Sequence, residues 1–299
     1  MNKLHLVVIL LVTILCCSQC KQAGKNTAPA GSAPVNIPAK KMPPKKRIQP
    51  GNTSYHFEKS KLWRGKNNTQ QQYDIVLALN RTDSNHLAKM DSIIVPNDLT
   101  GDIEFYLPFP MHVAALENIQ KILVFSYPTQ SFAAYETGEL VYAGQTNMGR
   151  KKDTTPTGLF FSNWKAEKTT STFNDEWDLR WNFNIENKLG VGFHQYELPG
   201  YPASHSCLRL TEKDARYLYD WADQWILDGK ETLVAKGTPV VVFGSYNFNA
   251  PKPWLQLIND PHALDIPEKI IEQQTAPYVA EIIKEQENRA KVESQKNKP

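Results

Sequence analysis

Gly192-Phe193-His194 and, ten residues on, Ser204-His205-Ser206-Cys207-Leu208-Arg209-Leu210 form the stretch on which the fold and chemistry of this 299-residue chain turn. Together they hold two of the seven histidines and the only cysteine beyond residue 20. A thiol beside imidazoles is the minimum set for thiolate chemistry, because the thiolate rather than the thiol attacks. If Ser204–Leu210 is extended, alternate residues share a face, which sets His205, Cys207 and Arg209 side by side. Pro199-Gly200-Tyr201-Pro202 is a turn that folds His194 back toward the same place. Either histidine then serves as general base, and spacing does not choose between them. The backbone N–H groups of Ser206 and Cys207 are candidate oxyanion donors. Arg209 is a candidate partner for a substrate carboxylate.

Outward from this stretch the pattern is mostly strands. Ile122–Tyr127, Ser131–Glu136 and Leu140–Gly144 are short, β-branched and aromatic, and are separated by Pro128-Thr129 and Thr137-Gly138-Glu139. Asp153-Thr154-Thr155-Pro156-Thr157-Gly158 is a turn that opens into Leu159-Phe160. The Trp-rich stretch 164–185 alternates only in part and is expected to be a strand or an insertion beside the site. Downstream, Thr211-Glu212-Lys213-Asp214 opens a helix whose apolar spacing runs through Trp225 and Ile226 to a stop at Asp228-Gly229. That helix start lies just past Cys207, where its partial positive charge would lower a thiol pKa if it points that way. Pro239–Phe243 is a closing strand, and a helix is expected from Pro267 to about Asn288.

The first fifty residues have another character. Leu6–Leu15 is an apolar run after Lys3, too short to span a bilayer and suited to an export signal. It ends in Cys16, Cys17 and Cys20, the pattern of a bacterial lipoprotein signal, with Cys20 (or Cys17) as the lipidated residue. Residues 21–50 hold six prolines and seven basic side chains with no acid, a composition that cannot bury enough surface to fold. As an extended tether they reach roughly 90 Å. The whole chain is +3, the tether +7 and the signal +1, so residues 51–299 are net −5. A basic tail on an acidic body is not a nucleic-acid footprint, and no nucleic-acid partner is expected. Between Tyr55 and Pro110, "VLALNR" and "DSIIVP" predict a helix and a short strand ended by Pro96. Asn-x-Thr/Ser triplets at Asn52, Asn67 and Asn80 would suit glycosylation of a secreted protein.

These residues carry two resemblances. Ser204-His205-Ser206-Cys207-Leu208-Arg209-Leu210 resembles the Ser-His-Gly-Cys-Ile/Val-Arg-Leu signature of the YkuD-type L,D-transpeptidases. Gly192-Phe193-His194, the Thr-Pro-Thr-Gly segment and the strands of 121–144 stand in that family's order, so the likeness spans roughly 118–245. It implies a β-rich catalytic fold in which Cys207 is the acylated nucleophile and His194 its base. By the same likeness, Ser204 and His205 shape the site and Arg209 assists substrate binding. Ser206 departs from the pattern, which has glycine there. Within 51–117, the helix and strand resemble the second half of a LysM peptidoglycan-binding module, whose usual first strand is not recognisable.

The expected fold is mainly β with flanking helices. A signal (1–20), a tether (21–50), a small and possibly LysM-like α/β unit (51–117), a catalytic domain (118–248) and a C-terminal loop and helix (249–299) follow in order. The resemblance implies a cysteine transpeptidase that takes peptidoglycan stem peptides as donor and acceptor, for crosslinking or protein anchoring, on a lipoprotein facing the periplasm. A hydrolase on the same site and a non-catalytic wall-binding lipoprotein are the alternatives. No cofactor is expected, and one cysteine with scattered histidines offers no zinc spacing.

Overall fold

The computed structural model describes residues 46–170 and 178–296. The export signal, with Cys17 and Cys20, and the tether up to residue 45 lie outside the described residues. The tether's last residues are docked on the body rather than extended. The Arg47 guanidinium is buried 3.1 Å from the Glu104 carboxylate, and Ile48 N–H donates to the Asp102 carboxylate at 2.8 Å.

The chain then forms β1 (Tyr55–Lys59), α1 (Ser60–Arg64), α2 (Gln70–Leu79), α3 (Ser84–Leu87) and β2 (Ser92–Pro96). β1 is the strand that the sequence pattern hid. It pairs antiparallel with β2, Tyr55 opposite Pro96 and Lys59 opposite Ser92. Only part of its length is buried, and Phe57 is exposed, so its alternation is faint. α2 begins where Thr69 and Gln72 cap each other reciprocally, and its Ile75–Leu79 run is buried on every side. Asn80 is no glycosylation site. It is buried, donates to Val76 O and Ile94 O, and accepts from Ile94 N–H, which ties α2 to β2.

The rest comprises β3 (Ile122–Ser126), β4 (Ser131–Glu136), β5 (Glu139–Gln145), β6 (Gly158–Phe161), β7 (Lys165–Thr170), β8 (Asp178–Glu186), β9 (Val191–Gln195), β10 (Leu208–Leu210), α4 (Glu212–Trp221), β11 (Ile226–Leu227), β12 (Leu233–Ala235), β13 (Pro239–Phe243), α5 (Glu268–Thr275) and α6 (Val279–Lys296). One sheet has the order β5-β4-β3-β13-β6 and a second β10-β9-β8-β7. β3 and β13 are unbroken apolar runs because both of their faces are buried. Leu123, Phe125, Phe132 and Val240 face the second sheet, against Phe183, Phe193, Leu208 and Leu210. Ile122, Val124, Ala133 and Val241 face the other way, against Leu116, Ile266, Ile271 and Ile282.

Three sequence expectations change. The described residues of the stretch 164–185 form two strands, β7 and β8, which pair in the second sheet. α4 stops at Trp221, short of Asp228-Gly229, because tertiary partners capture the backbone beyond it. Asp223 N–H donates to Thr238 Oγ1 at 2.9 Å and Trp225 N–H to Asn163 O at 3.0 Å. Asp228-Gly229 is instead part of the turn joining β11 to β12. The C-terminal helix is split by a single 3-10 turn at 276–278, which contains Pro277, and its second half runs to Lys296.

Candidate active site

β9 and β10 run parallel, with Phe193 opposite Leu208 and His194 opposite Arg209. Phe193 and Leu208 enter the core, so by alternation His194 and Arg209 project from the opposite face. There they meet a cavity of about 700 Å³ whose wall also includes Cys207, Ser204, His205 and Ser206. β7 and β8 line it through Thr169, Leu179 and Asn182, together with Trp164 just before β7. All six site residues read from the sequence in 194–209 therefore come to one cavity.

They do not come by the expected route. Residues 204–207 are not a strand, and Ser206 has φ +84, so the shared face of His205 and Cys207 is not strand alternation. Ser204 forms a bridge with Gly149: its N–H donates to Met148 O at 3.1 Å and its carbonyl accepts from Arg150 N–H at 2.9 Å. The Ser204 hydroxyl donates to the Cys207 carbonyl. Thr155 Oγ1 donates to Ser206 O and accepts from Gly149 N–H, both at 2.8 Å. The chain thus turns at Ser206 under constraints from both sides. His205, half-buried in the cavity wall, has Nε2 3.8 Å from the Asp153 carboxylate. Asp153 and Thr155, which belong to the turn at Asp153–Gly158, are not among the sequence candidates.

The twelve-residue link between His194 and Cys207 turns at Gly200, with φ +81. That positive φ favours glycine, and a Cβ there would press on Asn80 O at 3.2 Å and displace the movable end of Met90, 2.7 Å away.

His194 Nδ1 lies 2.9 Å from the Gln195 carbonyl. A carbonyl can only accept, so Nδ1 carries the proton and Nε2 keeps its lone pair. Burial lowers the imidazole pKa to about 4, Gln195 opposing and Arg209 adding to the effect. Burial also raises the Cys207 thiol, against the Gly192 backbone and the Arg209 charge. The thiol donates to Gly190 O at 3.6 Å. β10 separates Cys207 from the start of α4 at Glu212. The resting pair is therefore neutral thiol and neutral imidazole. The Arg209 guanidinium lies 4.4 Å from the Tyr196 ring and 3.4 Å from Glu197 O, which fixes it at the cavity wall. Arg150 holds the Asp153 carboxyl below its usual range, so it stays ionised. Among the described residues no three His, Cys, Asp or Glu side chains converge closely enough to hold a metal ion.

Residues 120–242 match the L,D-transpeptidase catalytic domain family, YkuD. Among solved structures the chain is similar to an L,D-transpeptidase of Stackebrandtia nassauensis, at 23% identity and a TM-score of 0.35 over 42% of this chain and 57% of that one. It is also similar to the L,D-transpeptidase of Mycobacterium smegmatis, at 20% identity and 0.34 over 42% and 59%. For that of Enterococcus faecium the values are 21% and 0.33 over 42% and 50%. The chain spans less than two thirds of the length of these relatives. No curated protein matches it.

Proposed function

We propose that this protein is a cysteine L,D-transpeptidase that acts on peptidoglycan stem peptides through a thioester on Cys207. The observation that carries the reading is the cavity that joins Cys207 to His194, whose Nε2 is left as a proton acceptor, within the stretch that matches the family. As the L,D-linked carbonyl of a donor approaches, the Cys207 proton passes to His194 Nε2 and sulfur attacks the carbon. The N–H groups of Ser206 and Cys207 donate to the oxyanion, their conformation fixed by Thr155 and Ser204. The C–N bond then breaks, and the departing D-amino acid takes the proton from His194. An acceptor amine attacks the thioester, an amide forms and the thiol is restored; water in its place gives hydrolysis. Arg209 holds a donor carboxylate.

The export signal and lipidation at Cys20 (or Cys17) belong to the same proposal, which places the body at the end of a tether facing the wall from a bacterial membrane. The LysM-like reading of 51–117 is supported by the pairing of β1 with β2.

Intact-mass measurement on the reduced, folded protein tests the reading. A stem tetrapeptide or a carbapenem is expected to add an acyl mass to the wild type and none to Cys207→Ala. No adduct on the wild type overturns it. With adduct formed, an amine acceptor separates transpeptidation from hydrolysis by the product released.

A further inference from the structure

The N-terminal unit meets the catalytic domain at one place of chemical consequence, the link between His194 and Cys207. At the exit of α2, Asp83 N–H donates to Leu198 O at 3.1 Å, and the Thr82 hydroxyl donates to the same carbonyl at 2.9 Å. The Leu198 N–H in turn donates to the Asp83 carboxylate at 2.7 Å. Both backbone groups of Leu198, a fully buried residue, are thus held by two residues of the N-terminal unit. The Asp83 carboxylate is itself oriented, since it caps α3 by accepting His86 N–H at 2.8 Å and lies 2.9 Å from the His86 ring.

Asn147 extends this contact to the other end of the link. Its side-chain amide donates to Arg81 O at 3.0 Å, and its side-chain oxygen accepts from Gly200 N–H at 3.3 Å. Its backbone exchanges two hydrogen bonds with Arg209, two residues past the nucleophile. The turn at Gly200 packs closely on Asn80 O and the end of Met90, which a Cβ there would reach at 3.2 and 2.7 Å. A shift of the N-terminal unit would therefore move the link where it leaves β9 with His194 and where it returns toward Cys207.

We propose that Thr82 and Asp83 are positioning residues of the active site, which clamp the 196–203 link and so set His194 against Cys207. Residues 51–117 are then a fixed wall of the catalytic machinery rather than a separately tethered module. This rests on the reading of Cys207 and His194 as nucleophile and base, so the test includes a measurement that needs no enzymatic turnover.

The full chain is compared with Asp83→Ala, Asp83→Asn and Thr82→Val by two readouts: acylation by a stem tetrapeptide, and alkylation of Cys207 by iodoacetamide across pH. Misplacement of reacting groups by about an ångström costs up to about a hundredfold, so folded Asp83→Ala is expected to lose at least about tenfold in the acylation rate at saturating donor, with KM changed less than about twofold. Its alkylation profile should shift, and Asp83→Asn should recover most of the rate because its amide oxygen still accepts from Leu198. Acylation and alkylation of folded Asp83→Ala matching the wild type would overturn the proposal. Should Asp83→Ala not fold, Thr82→Val removes one hydrogen bond to the same carbonyl and decides the matter by the same two readouts. A wild type that is alkylated but never acylated sinks the transpeptidase reading alone, and the alkylation comparison still decides the clamp.

Discussion

Ser206 occupies backbone space that an L side chain enters at a cost of order 1–3 kcal/mol. Its carbonyl is held by Thr155 and the next residue's by Ser204, so the surrounding contacts over-determine the strained turn. Ser206→Gly should relieve the strain and raise stability by about 1 kcal/mol, seen as a higher midpoint in thermal unfolding, with acylation at Cys207 retained. A lower midpoint would mean that the serine hydroxyl contributes more than the backbone loses. The departure from glycine is plain in the sequence, but the sign of φ is not. The same turn defeats the alternation argument for His205, which holds only for extended backbone. Asp153 and Thr155 stayed hidden for a related reason. Their partners, His205 and Ser206, are fifty residues on in the chain, and neither threonine nor aspartate in a turn signals a distant contact by its type.

At the scale of elements, strands buried on both faces were the most legible, because Ile122–Ser126 and Pro239–Phe243 are apolar without interruption. β1 and the end of α4 were the least, since a half-exposed edge strand alternates weakly and tertiary partners override helical spacing after Trp221. α6 shows how little of a helix needs to be buried. Its buried residue is Ile282, packed on the face of the first sheet away from the cavity. Ile282→Ala should cost about 2–4 kcal/mol in urea unfolding while the acylation rate of the folded protein is unchanged. A parallel fall in acylation would show that the C-terminal helix reaches the site.

The whole molecule carries two buried groups whose protonation works in opposite directions. His194, with its pKa lowered to about 4 from the ordinary 6.5, binds its proton more readily unfolded, so its contribution is lost as pH falls from 6.5 toward 4. Asp214 is raised by burial to about 6, against hydrogen bonds from Thr211 and Tyr142, so its contribution is lost as pH rises through 6. Each is worth about 3 kcal/mol at the unfavourable end, and over this window they largely cancel. Asp214→Asn removes one side of the balance. Its stability in urea is expected to drop by about 3 kcal/mol between pH 7 and pH 4, more steeply than the wild type's. A flat profile would argue that His194 takes up its proton without disturbing the fold.

β3 lies in mid-sheet, between β4 and β13, and its parallel partner Val240–Phe243 comes almost at the end of the catalytic stretch. A chain emerging from the ribosome pairs β3 with β4, and β4 with β5, at once, but the other edge of β3 stays open until residue 243 exists. An open apolar edge is a template for aggregation, and its closure is a slow, long-range step. Such a topology suits a polypeptide held unfolded until its synthesis is complete, with the sheet closing only after the last strand has arrived.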